Sequence, residues 1–107
     1  MKEYLLRIRE VKRRVEILQH RIEVNDTDEL QKALRDSEQE LKCVTVEVMD
    51  LIGHLQDINQ QVVMIRRYVD LQSWEEIAAG MAMNVRVVQK IHGRSLPLLE
   101  RILSSAR

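Results

Sequence analysis

Apolar residues recur at helical spacing along nearly the whole chain. Tyr4, Ile8, Val11, Val15, Leu18 and Ile22 alternate steps of four and three, the seam of a coiled coil, and predict a first helix over residues 2–24. Asn25-Asp26-Thr27-Asp28 reads as a linker in which Thr27 or Asp28 caps the next helix. The seam then resumes at Leu30, Leu34, Ser37, Leu41, Val44, Val48, Leu51 and Leu55, with Ser37 its one polar member. So short a linker favours an antiparallel helical hairpin, although the same heptads could pair between chains and the spacing leaves that choice open. Gly53-His54 marks a break, and Asp57-Ile58-Asn59-Gln60 caps a third helix. On it Ile58, Val62, Ile65 and Val69 share one face, with Met64 and Tyr68 beside them.

The stretch over residues 73–91 has a different grammar, two short helices around a tight turn. Trp74, Ile77, Ala78 and Met81 lie on one helical face, and Ser73 with Glu76 has the form of a capping box. Trp74 shares that apolar face, so core packing accounts for it better than stacking on a base. After Met81-Ala82-Met83, Asn84 offers a second N-cap, and Val88 and Ile91 supply the apolar spacing of the following helix. Val88, Ile91, His92 and Ser95 gather on one side of that helix, and Arg86, Gln89, Lys90, Gly93 and Arg94 on the other. A face of three cations, an amide and a glycine has a plain reading as solvated surface. It also suits a DNA major groove, where Arg and Lys reach phosphates or guanine, Gln reads adenine, and Gly avoids crowding the backbone. The turn and caps that precede it favour the second reading. Arg66 and Arg67 close the third helix, where they suit the helix dipole and could equally hold a phosphate.

From about Ile58 to Leu103 the chain resembles region four of bacterial primary sigma factors, through VVMIRRY, SWEEIA and VVQKIHGRSL. It is more closely similar to the ArpU/RinA-type regulators of phages and prophages of Gram-positive bacteria, in Arg67-Tyr68, Ser73 to Ala78, and His92-Gly93. The resemblance is weak before Leu51. It implies a DNA-binding regulator of late phage genes whose recognition residues fall on Arg86, Gln89, Lys90 and Arg94. This chain departs from the pattern in two places. Ala82 stands where the turn usually has Gly, and a non-Gly residue at positive φ costs about 1–2 kcal/mol. Pro97 removes the hydrogen bond to the Gly93 carbonyl, which predicts a kink or stop near Leu96. Beyond it, Leu98, Leu99, Ile102 and Leu103 make an apolar patch that closes the trihelical core or the hairpin, and residues 104–107 are expected to fray.

The fold expectation is therefore all-α. Residues 1–56 form a long helical hairpin or coiled coil for assembly, and residues 57–107 a trihelical helix-turn-helix domain. With one Pro, three Gly and no Phe among 107 residues, few breaks interrupt the helices. A chain of this size has a modest core, which makes packing against a second copy through the N-terminal helices plausible. Formal net charge is zero, against a strongly basic DNA-coating protein, yet the charges are segregated. Residues 58–107 carry seven Lys/Arg and four Asp/Glu, and residues 25–57 carry three and nine. Residues 1–24 carry seven and four, with Arg7, Arg9, Lys12, Arg13 and Arg14 flanking the first seam. These interrupt any signal-peptide pattern, and no run approaches the roughly 18–20 apolar residues that span a bilayer, so the expectation is a cytoplasmic protein without a membrane partner.

Cys43 permits no internal disulfide and is expected as an inert, buried thiol. His20, His54 and His92 stand apart from any metal-ligand spacing. Without a glycine-rich phosphate loop or a nucleophile elbow, neither an enzyme nor a cofactor is expected. Besides a sequence-specific regulator, two readings stay open. One is a sigma-like adaptor that meets bacterial RNA polymerase through the acidic middle helix; the other is a structural coiled-coil phage assembly protein.

Overall fold

Two cores hold the chain together, and a short helix stands between them. Through residues 1–105, which the computed structural model describes, the protein is helical, with no strand among them. The elements are α1 (Lys2–Leu5), α2 (Arg7–Val24), α3 (Asp28–Gly53), α4 (Ile58–Met64), a π-helical segment (Ile65–Val69), α5 (Trp74–Gly80) and α6 (Val85–Ser105). Thr27 caps α3 by accepting from the Leu30 amide at 3.2 Å, and Asp57 caps α4 by accepting from the Asn59 amide at 2.8 Å.

α2 and α3 pair within the chain as an antiparallel hairpin. Arg7 pairs with Glu47 and Arg14 with Glu40, so one heptad forward on α2 meets one heptad back on α3. Ile8, Val11, Val15 and Leu18 of α2 are buried, as are Ser37, Val44, Val48 and Leu51 of α3, which is the seam read from the spacing. The ion pairs are exposed and add little stability. The apolar seam is what joins the helices.

The hairpin's open end supplies half of the larger core. There Leu5, Ile8, Val48, Leu51 and Ile52 pack with Met64, Tyr68 and Leu99. Residues on both sides of position 56 therefore share one hydrophobic cluster. The second core is smaller and joins Val63, Ile77, Ala78 and Val88, flanked by Trp74, Met81, Met83 and Ile91. Adjacent residues of α4 thus serve different cores, Val63 the second and Met64 the first.

Several expectations change. The first helix is not continuous, because the backbone bends at Leu6 and separates α1 from α2. Leu5, outside the seam pattern, is thereby fully buried. In the third helix the buried residues are Val63, Met64 and Tyr68, while Ile58 is exposed. The helix opens into the π-helical segment, where the Asp70 amide donates to the Ile65 carbonyl, and that extra residue per turn shifts the phase of the apolar face.

Pro97 does not end the last helix. α6 runs through it from Val85 to Ser105. Gly93 and Pro97 both face solvent, so water can satisfy the carbonyl that Pro97 leaves without a donor. On the opposite side Leu96, Leu99, Ile102 and Leu103 pack into the larger core and hold the helix on course. The apolar patch after Pro97 therefore closes the hairpin side, with Leu98 left exposed. Ser104 and Ser105 are helical, whereas the fraying expected at Ala106 and Arg107 lies outside the described residues. Cys43 is exposed, because it lies one residue, or about 100° of helix, from the seam position Val44.

Candidate nucleic-acid interface

The candidate interface is built from α5, its turn and the first half of α6. Ser73 opens α5 with a reciprocal capping box. Its hydroxyl accepts from the Glu76 amide at 3.1 Å, and the Glu76 carboxylate accepts from the Ser73 amide at 3.1 Å. In the turn the Met83 amide donates to the Ala78 carbonyl at 3.0 Å, and Ala82 adopts φ 54°. That left-handed residue is the position at which the resemblance places a glycine. Asn84 then accepts from the Val87 amide at 2.9 Å and starts α6.

Once started, α6 divides cleanly. Val88, His92, Ser95 and Leu99 are buried, and Arg86, Gln89, Lys90, Gly93 and Arg94 are all exposed. Among the described residues no carboxylate pairs with Arg86, Lys90 or Arg94. Gly93 has no packing reason to be glycine, since a Cβ there would meet nothing within 4 Å. Glycine inside a helix costs about 1 kcal/mol relative to alanine. What its absent side chain leaves is open ground between Lys90 and Arg94.

Arg66 and Arg67 do not join that face. Arg66 lies across α5, where a Cβ at Gly80 would fall 2.5 Å from its Nη1, so glycine makes the room it occupies. Arg67 sits over the Trp74 ring at 4.1 Å and donates to the Gln72 carbonyl at 3.1 Å. Both are half-buried and help bind the loop to α5.

Behind the exposed face lies a polar contact that the spacing did not signal. The Tyr68 hydroxyl and His92 Nε2 are 2.5 Å apart, and the Trp74 ring meets His92 edge-on at 4.9 Å. Burial, aided by the nearby charges of Lys2 and Arg67, pushes His92 down to about 4. Burial raises Tyr68, with Arg67 opposing in part. A neutral imidazole and a protonated phenol therefore share this hydrogen bond, and the pair fixes α6 against the π-helical segment. Tyr68 and His92 lie far apart in sequence on separate elements, so no local pattern links them.

Among the described residues no group of three His, Cys, Asp or Glu is placed to hold a metal ion, and no helix is long and apolar enough to cross a membrane. Compared with protein-family models, curated proteins and solved structures, the chain matches none.

Proposed function

We propose that this chain is a sequence-specific DNA-binding transcriptional regulator that lays the first half of α6 in the major groove. In this reading α4, α5 and α6 act as a trihelical helix-turn-helix head on residues 57–107, with residues 1–56 as its assembly segment. The observation that carries the reading is the division of α6. One side anchors both cores, and the other presents Arg86, Gln89, Lys90 and Arg94 to solvent without a carboxylate partner among the described residues.

The dimensions and chemistry fit. An α-helix with its side chains is about 10–12 Å across, and the major groove is about 12 Å wide. Arg86, Lys90 and Arg94 offer donors for guanine edges or phosphates, and Gln89 matches the donor–acceptor pair of adenine. Bare Gly93 lets the helix backbone come close to the duplex. The resemblance to ArpU/RinA-type regulators adds phage or prophage late genes as the setting. Homo-oligomerisation through the N-terminal helices is part of this reading, with Ile17, Val24 and Val46 exposed singly on the hairpin at 60, 74 and 68 %.

Selection from a randomised duplex library, followed by binding across a salt series, tests the proposal. We expect an enriched motif and an affinity that falls steeply with salt. Arg86→Ala and Lys90→Ala are expected to abolish motif preference with little change in melting temperature. Absence of any duplex binding at low salt, or unfolding of both variants, removes the proposal. Co-purification with RNA polymerase without DNA would replace it with the adaptor reading.

A further inference from the structure

Three unusual local features converge on a groove between α2 and the loop into α5. The groove encloses about 320 Å³, with Arg9 of α2 on one wall and Arg67, Leu71 and Ser73 on the other. The first feature is the π-helical segment that carries Arg67, a form that is rare and concentrates at functional sites. The second is Leu71, a bulky residue held at φ 56°. The third is the half-buried Arg67 itself, held by the Trp74 ring and the Gln72 carbonyl rather than by an acid.

The groove's charges are unbalanced. Among the described residues neither Arg9 nor Arg67 pairs with a carboxylate. Glu76 is the one acid on the wall, and its carboxylate is committed to the Ser73 amide in the capping box. Two guanidiniums against the single Glu76 carboxylate leave the cleft net positive, which favours an anion, and planar guanidinium is the side chain best matched to phosphate.

We propose that this groove is a phosphate notch, in which Arg9 of the hairpin and Arg67 of the head grip a backbone phosphate of the duplex that α6 reads. The inference rests on the DNA-binding reading and adds to it that the hairpin takes part in binding. The notch packs against the inner side of α6, because Trp74 touches both Arg67 and the buried His92. A free phosphate offers the same chemistry, and the experiment separates the two sources.

Trp74 is the chain's single tryptophan and lies against Arg67, so its emission reports on the notch directly. Wild type, Arg9→Gln and a distant control on the exposed α3 surface, Lys32→Gln, are titrated with a short duplex of random sequence across a salt series. Thermal melts check that each is folded. Losing one phosphate contact is expected to make the slope of log K against log salt shallower by about 0.9 for Arg9→Gln. Lys32→Gln keeps the wild-type slope, and the duplex changes Trp74 emission less in Arg9→Gln than in wild type. If wild type binds the duplex and Arg9→Gln retains its slope, or Lys32→Gln loses as much, the notch is refuted while the reading of α6 stands. If wild type binds no duplex, both fail. If pyrophosphate alters Trp74 emission and the duplex does not, the notch takes free phosphate and its assignment to DNA is overturned.

Discussion

Replacing His92 by glutamine is expected to remove a specific part of the protein's pH dependence. Folded His92 is held at about 4 against an ordinary 6.5, chiefly by burial and then by Lys2 and Arg67. As pH falls through 6.5 the unfolded chain takes up a proton there that the folded chain refuses until near 4. Stability tied to the neutral ring is therefore fully present above pH 6.5 and is lost progressively between 6.5 and 4. At 1.36 kcal/mol per tenfold change, the whole loss is about 3 kcal/mol, of which about 2 kcal/mol is gone by pH 5. Only 7 % of His92 is exposed, so solvent screening trims this little. Glutamine can still hydrogen-bond with the Tyr68 hydroxyl but does not titrate. Urea denaturation of both proteins at pH 7 and pH 5 is the assay. His92→Gln is expected to be the less stable at pH 7, yet to lose about 2 kcal/mol less than wild type on going to pH 5. Equal losses in the two proteins would refute the buried, neutral imidazole.

Other substitutions test the fold around it. Ala82→Gly is expected to stabilise the protein by about 1 kcal/mol or slightly less, because relief of the left-handed strain at φ 54° outweighs the added freedom of the unfolded chain. An unchanged or lower midpoint in urea would count against that turn. Pro97→Ala restores a donor to the Gly93 carbonyl inside a continuous helix and should raise stability by up to about 3 kcal/mol, read in the same denaturation curves. Exposed Cys43 should react fully with a thiol reagent in the native protein, and Cys43→Ser should shift stability by less than about 0.5 kcal/mol. Protection of the thiol until unfolding would place Cys43 in the core.

Local chemistry was the legible part of this chain. The seam from Ile8 to Leu51, the caps at Thr27, Asp57, Ser73 and Asn84, and the inner and outer sides of α6 all follow from spacing and side-chain type. What depended on distant partners was not. Leu5 is buried because the chain bends at Leu6 to meet a core assembled from α3, α4 and α6. Tyr68 packs inward from a π-helical segment that no periodicity announces, while Met64 does so from the α-helix before it. Pro97 is locally a helix breaker, but the packing of Leu96, Leu99 and Ile102 overrides it. The groove between Arg9 and Arg67 joins residues from opposite halves of the chain, and charge segregation alone gave no hint of their meeting.

In the proposed function one face of α6 meets a duplex. Amide chemical shifts of isotope-labelled protein, followed during titration with a selected duplex, test it most directly. The largest changes are expected along α6 at Arg86, Gln89, Lys90, Gly93 and Arg94, with buried Val88 and Leu99 nearly still. Changes confined to the acidic face of α3, or none while the protein remains folded, would contradict it.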